Sequence, residues 1–176
     1  LGLAVVTKQQ YLLVLAPTLL MAWLGNLLYY RSAPQRVFLI PGLLTAIAYV
    51  VWQVYLIVYL GPATASENIE LLRAATAGAA LVFSPSLMRR GVEELLSLKV
   101  YLGWLVPVLL YGGLRVLPRH KQAHQWGILF SLIVFNLLWY VVASISWLRY
   151  AFPALALASL FVARFFFDLT DGYRLD

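Results

Sequence analysis

The sequence contains no cysteine and few charged residues, and each shortage excludes a class of protein. Without cysteine, this chain of 176 residues forms no disulfide, carries no thiolate nucleophile and offers no cysteine-based metal site. Charged residues make up 11% of the chain, whereas soluble domains contain about 25%. The hydrophobic fraction is 63% and the mean hydropathy is +0.85. The chain therefore cannot be a soluble globular domain.

The apolar residues occur in runs of about 20, the length of helix that crosses a hydrocarbon core of about 30 Å. Lipid offers the backbone no hydrogen-bond partner, so a spanning segment must be a helix or a barrel strand. These runs are too long and too continuously apolar for strands that alternate between lipid and lumen. The sequence predicts an all-α, polytopic membrane protein with a single transmembrane helical domain over residues 1–176.

About five transmembrane helices are predicted from the positions of the apolar runs. They cover approximately residues 11–30, 37–60, 100–116, 126–145 and 150–167. Aromatic residues near their ends are typical of interfacial belts; these are Tyr29, Tyr30, Trp104, Trp126 and Trp147. No Asp or Glu falls inside these predicted spans, which argues against a pump or channel with an intramembrane carboxylate.

Residues 61–98 form a predicted outer loop with two short amphipathic helices. In the second helix, an apolar stripe of Val92, Leu95 and Leu96 faces away from Arg89, Arg90, Glu93 and Glu94. A sixth span over residues 69–88 is the alternative. Glu70 and Arg73 argue against it, because a charge near a helix centre costs about 2.5–3.5 kcal/mol on insertion scales. We prefer helices that lie on the outer membrane surface.

Basic residues outnumber acidic ones by 13 to 7, giving a net charge of +6. In a soluble protein this excess would suggest nucleic acid, but here the bases flank apolar runs. We therefore expect lipid phosphates or a phosphate-bearing ligand as partner, and no nucleic acid. The predicted cytoplasmic set comprises Arg31, Arg36, Arg115, Arg119, Lys121, Arg164 and Arg174. The opposite set comprises Lys8, Arg73, Arg89, Arg90, Lys99 and Arg149.

The sequence offers little evidence for metal or cofactor chemistry. His120 and His124 are four residues apart and could share a helix face, but no third ligand is evident. We predict no metal site and no cofactor. Asn26, Gln53 and Asn136 lie in or near spans, where helix-to-helix hydrogen bonding is the usual role of such residues.

Arg149 is the leading candidate for a binding residue. It lies in a tight predicted turn between two apolar runs, directly before Tyr150. An arginine there can be a simple interfacial anchor, or its planar guanidinium can hold a phosphate. Lys8 and the pair Arg89 and Arg90 fall on the same predicted side. Their convergence predicts a site for an anionic, lipid-linked ligand.

Two segments carry short motifs next to apolar runs. Residues 2–8, Gly-Leu-Ala-Val-Val-Thr-Lys, precede a Leu-rich run with proline at residues 11–17. This order resembles a mid-chain segment of GT-C membrane glycosyltransferases in which a helix ends in Thr-Lys. The group includes protein O-mannosyltransferases and the lipid A aminoarabinose transferase. Residues 147–157 contain Arg-Tyr-x-x-Pro and resemble a late family signature that opens a transmembrane helix. The likeness spans nearly the whole chain.

The resemblance implies transfer of a sugar from a polyprenyl-phosphate carrier on the non-cytoplasmic face, in a bacterial inner membrane. Arg149 matches the position that holds the carrier phosphate, with Tyr150 beside it, and Lys8 falls in the Thr-Lys motif. The family's catalytic acids lie in a first outer loop that has no counterpart here, so no catalytic residue is assigned to this chain. We expect it to be the C-terminal half of a longer protein, with sequence preceding Leu1.

A second hypothesis belongs to a different class of protein. The chain could be a non-catalytic helical subunit of a larger membrane complex. Its partners would then be other membrane subunits rather than a polyprenyl-phosphate-linked sugar.

Overall fold

The structure is a computed structural model that describes residues 12–64 and 81–172, together with positions 66–67, 70–71 and 74. The α-helices whose two ends are both described are α1 (Leu12–Gly25), α2 (Arg36–Leu60), α3 (Pro85–Leu96), α4 (Leu105–Arg115), α5 (Lys121–Ala143) and α6 (Phe152–Leu169). A π-helix, Asn26–Tyr30, continues α1, and 3₁₀ turns occupy Tyr101–Gly103 and Leu148–Tyr150. The described ranges contain no strand, and the predicted all-α class is confirmed.

Four helical segments are long and apolar enough to cross a membrane. They are Leu13–Tyr30, Arg36–Tyr59, Lys121–Ala143 and Phe152–Leu169. These segments correspond to the predicted spans 11–30, 37–60, 126–145 and 150–167. The chain is thus a polytopic helical membrane protein.

The third predicted span, residues 100–116, is shorter than expected. Its α-helix, α4, has 11 residues, which at about 1.5 Å per residue reach only about half of a hydrocarbon core. The helix starts late because Tyr101, Leu102 and Gly103 have φ values of 48°, 54° and 84°, which no α-helix accommodates. Of the approximately five predicted transmembrane helices, four are long helices in the structure, and the third contains the short apolar helix α4.

Two helix boundaries also differ from the sequence prediction. Helix α5 begins at Lys121 rather than near residue 126, because the His120 side chain caps it by accepting a hydrogen bond from the Ala123 N–H at 3.0 Å. Helix α6 continues to Leu169, so Asp168 lies in its last turn rather than in a polar tail. This carboxylate lies one residue beyond the predicted span 150–167.

Helix α5 is the centre of the bundle and packs against α1, α3, α4 and α6. The core between α4, α5 and α6 contains Val108, Ile133 and Phe161, each at most 2% exposed. Trp126 belongs to this interior as well. It is partly buried, and its ring meets the Phe161 ring edge-on with the two centroids 4.8 Å apart.

Helix α2 is the least covered of the long helices. Only 6% of the residues in its most apolar stretch are buried within the structure. It packs on α1 near its own start, where Phe38 is 7% exposed. Its remaining apolar side chains, such as Leu43 and Val58, are exposed and suited to contact lipid.

The predicted helix in the second half of the outer loop is confirmed as α3, with Pro85 at its start. Its buried face differs from the predicted stripe, because Leu95 is buried whereas Val92 and Leu96 are exposed. The reason is that α3 packs against the end of α5, with Gly91 next to Tyr140 and Val141. In the first half of the loop, positions 62–64, 66–67, 70–71 and 74 are helical. Most of the segment 69–80, on which the alternative sixth span depends, lies outside the described residues.

Candidate functional site

The turn that joins α5 to α6 is fixed by buried serines. The Ser144 hydroxyl donates to the Tyr140 carbonyl at 2.6 Å and accepts from the Ser146 N–H at 3.1 Å. Ser146 adopts a left-handed conformation with φ 55°, and its hydroxyl donates to the Leu87 carbonyl of α3. Both serines are at most 2% exposed. Residues 144–151 are therefore tied to the bundle and to α3 at once.

This rigid turn presents Arg149 as an exposed cation. Its guanidinium carbon lies 4.1 Å from the Trp147 ring centroid and 5.3 Å from that of Tyr150. The two rings are nearly parallel, at 11°, with centroids 6.3 Å apart. Such stacking holds a guanidinium in place while its N–H groups stay open to a ligand. Arg149 forms no salt bridge with any described acidic side chain.

Helix α3 brings further bases to the same end of the bundle. The Val82 N–H donates to the Ala143 carbonyl at 2.9 Å, and Ser146 binds Leu87 as described above. Arg89 and Arg90, which follow Leu87 on α3, are both exposed. The structure thus places Arg89, Arg90, Arg149 and Tyr150 at one end. Lys8, the remaining predicted site residue, lies outside the described residues.

Arg89 is less available to bind an anionic ligand than its sequence position suggests. Its Nε donates to Glu93 Oε1 at 2.7 Å, one helical turn along α3. This hydrogen bond to a carboxylate raises the pKa of Arg89. The pair is solvent-exposed, so it contributes little to stability, but it offsets much of the positive charge of Arg89. Arg149 is consequently the stronger anion-binding candidate at this end.

A small cavity of about 190 Å³ lies between α1, the middle of α5 and the start of α6. Its walls include Val14, Leu132 and Leu157, and Pro153 lies four residues beyond Arg149. Asn136 also lines it and is 3% exposed, and its Oδ1 has no hydrogen-bond partner among the described residues. An apolar cavity of this kind suits a hydrocarbon chain.

The opposite end of the bundle holds a polar cluster that the sequence analysis missed. Asn26 is 1% exposed. Its Oδ1 accepts from the Ser32 and Ala33 N–H groups at 3.0 Å each, and its Nδ2 donates to the Ala33 carbonyl at 2.8 Å. Asn26 was predicted to join two helices, but it shapes the loop that follows its own helix. The sequence signal for this loop was an asparagine followed, after five residues, by Ser-Ala-Pro.

The same loop is bonded to the connection between α4 and α5. The Tyr29 hydroxyl donates to the Leu117 carbonyl at 2.6 Å, and the Tyr30 hydroxyl donates to the Val116 carbonyl. Ser32 Oγ and His124 Nδ1 are 2.7 Å apart, and the His124 and Tyr30 rings stack at 4.7 Å. Tyr29 and Tyr30 thus join two loops, beyond any role as interfacial aromatics.

Neither histidine is arranged as a metal ligand. His120 caps α5, and His124 is 4% exposed and engaged with Ser32. Among the residues that the structure describes, no group of three His, Cys, Asp or Glu side chains comes together.

Comparison of the chain with protein-family models, with curated proteins and with solved structures finds no match.

Proposed function

We propose that this chain is the C-terminal transmembrane part of a polyprenyl-phosphate-sugar-dependent glycosyltransferase that acts on the non-cytoplasmic face of a bacterial inner membrane. The observation that supports the proposal is the environment of the Arg149 side chain. It is an exposed guanidinium, stacked on Trp147 and Tyr150, without a described acidic partner, in a turn fixed at the bundle end. It also stands in the Arg-Tyr-x-x-Pro segment that resembles the GT-C signature.

The chemistry of sugar transfer fits such a residue. The carrier phosphate gains negative charge as the glycosidic bond to it breaks, and a fixed cation stabilises that charge. A guanidinium binds phosphate through two parallel N–H donors. Arg90 would add positive charge on the same side, where Lys8 is predicted from the sequence alone. The cavity between α1, α5 and α6 would take the start of the isoprenoid chain.

Transfer to a hydroxyl acceptor also needs a general base. On α3, which is bonded to this turn through Ser146, Glu93 already pairs with Arg89, and neither Glu93 nor Glu94 forms a salt bridge with Arg149. In the family that the sequence resembles, the catalytic acids belong to a first outer loop. We therefore propose that the base is supplied from outside this chain.

Arg149→Ala in the complete protein, assayed in native membranes, is expected to lower the rate of sugar transfer at least tenfold. A hydrogen bond to a charged group contributes about 1.5–3 kcal/mol, and a tenfold change in rate corresponds to about 1.4 kcal/mol. Arg149→Lys keeps the positive charge but loses the two parallel N–H donors of the guanidinium, so we expect partial activity. Lys99→Ala removes another exposed cation of the same end and should leave transfer unchanged. Wild-type transfer by a folded Arg149→Ala variant would reject the phosphate assignment.

The second candidate is a non-catalytic subunit of a larger membrane complex. The sparsely covered surface of α2 favours it, because a partner helix could pack there. This hypothesis predicts co-purification with a stable complex, and no dependence of that complex on lipid-linked sugar. Isolation of the protein without partner subunits and with carrier lipid bound would contradict it.

A further inference from the structure

The end of the bundle opposite Arg149 joins two basic loops that are far apart in sequence. The loop between α1 and α2 carries Arg31 and leads to Arg36, and the connection between α4 and α5 carries Arg119 and leads to Lys121. All four side chains are exposed. We call these four residues the basic surface.

Tertiary contacts hold the two loops of the basic surface together. The Tyr29 hydroxyl binds the Leu117 carbonyl, and the Arg119 guanidinium carbon lies 4.5 Å from the centroid of the Tyr29 ring. His124, in the first turn of α5, contacts both Ser32 and the Phe38 ring, the latter at 5.6 Å between centroids. The basic surface is therefore one continuous feature rather than two separate loops.

Described acidic side chains do not neutralise the basic surface, because none forms a salt bridge with any of its four residues. Asp168 lies at this end of the bundle, but it is engaged by Arg164 at 2.9 Å, by Arg115 at 3.6 Å and by the Tyr111 hydroxyl. The four residues of the basic surface therefore remain without a salt-bridge partner among the described acidic side chains.

Helix dipoles add to this positive potential. Both α2 and α5 begin here, and neither has an acidic residue in its first turn. The amino terminus of a helix carries a partial positive charge and favours anions. Arg36 and Lys121, the first residues of these helices, place cations where the dipole disfavours them. An arrangement of this kind is favourable when anions come from outside the chain.

We propose that the basic surface binds the headgroups of anionic phospholipids in the adjacent leaflet. It lies where apolar spans end, so phosphates of the bilayer are the anions within its reach. Its guanidinium groups match phosphate geometry. The inference does not rest on the proposed function, because it concerns the other end of the bundle and needs no lipid-linked sugar.

The test is selective lipid retention. The protein is reconstituted in a mixture of phosphatidylglycerol and phosphatidylcholine and extracted in mild detergent, and the lipids that remain bound are quantified by mass spectrometry. We expect wild-type protein to be enriched several-fold in phosphatidylglycerol over the starting mixture. The combined variant R31Q, R36Q, R119Q and K121Q should retain the starting ratio. Unchanged enrichment in this variant, or no enrichment in the wild type, would overturn the proposal.

Two further variants separate charge from fold. Lys99→Gln removes an exposed cation from the opposite end and should leave the enrichment intact. Arg31→Lys, Arg36→Lys and Arg119→Lys together keep the charge, so enrichment should persist in part. If the glutamine variant does not fold, this lysine variant still tests the proposal, because enrichment equal to that of wild type would exclude guanidinium recognition.

A soluble anion is the competing source of phosphate. We expect inorganic phosphate to leave the melting temperature of wild-type protein in phosphatidylcholine unchanged, whereas phosphatidylglycerol raises it. An equal rise with inorganic phosphate would identify a soluble-anion site and reject the lipid assignment.

Discussion

Asn26→Leu is expected to lower the free energy of unfolding by about 1–3 kcal/mol, the usual cost of leaving a buried polar group without a partner, because it removes three hydrogen bonds to part-buried backbone groups. Asn26 is 1% exposed and binds the Ser32 N–H, the Ala33 N–H and the Ala33 carbonyl. Leucine has a similar volume but satisfies none of the three. The variant is measured by denaturant titration in micelles, followed by circular dichroism.

Thr18→Val is the matched control for Asn26→Leu. Thr18 lies on the same helix and is 5% exposed, but its hydroxyl donates to the Val14 carbonyl at 2.7 Å, which the helix backbone also engages. Removing that hydroxyl leaves no group unpaired, so the expected change is about 0.5 kcal/mol or less. Equal losses in the two variants would show that Asn26 has no special role in shaping the α1–α2 loop.

Gly112→Leu is expected to destabilise the bundle by about 1–3 kcal/mol, the usual cost of overpacking a core. A Cβ at Gly112 would lie 3.0 Å from ring atoms of both Phe130 and Phe161. Phe161 is 2% exposed and has no room to withdraw. In a membrane, small residues allow such close approach of helices, and packing rather than the hydrophobic effect holds them together. The melting temperature in nanodiscs should fall by several degrees.

The adjacent glycine supplies the control for this position. A Cβ at Gly113 would meet only the Phe130 ring tip, at the ordinary distance of 3.8 Å. Gly113→Ala should therefore be neutral or slightly stabilising, since alanine favours a helix by up to about 1 kcal/mol over glycine. If Gly112→Leu and Gly113→Ala melt at the same temperature, α4 does not pack on α5 and α6 in the way described.

The gathering of basic residues at the end of the bundle that carries Arg149 was partly predictable from the sequence. The positions of Arg89, Arg90 and Arg149 around apolar runs put them on one predicted side, and the structure places all three at one end. Their pairing was not predictable, because the Arg89–Glu93 contact depends on side-chain geometry on α3. The stacking of Arg149 on Trp147 likewise requires the left-handed turn at Ser146.

The amino-acid sequence alone determined that this is a helical membrane protein, and it placed the four long spans to within a few residues. The physical reason is that lipid cannot bond to the backbone, so each long apolar run has to satisfy its own hydrogen bonds as a helix.

Only the tertiary structure decided where the short helix α4 begins, which loops meet and which cations keep their charge unpaired. The positive φ angles at Tyr101 and Leu102 shorten the helix in the third predicted span. The hydroxyls of Tyr29 and Tyr30 joined residues more than 80 positions apart. These outcomes depend on contacts between distant segments, and hydropathy, which describes each segment by itself, carries no information about them.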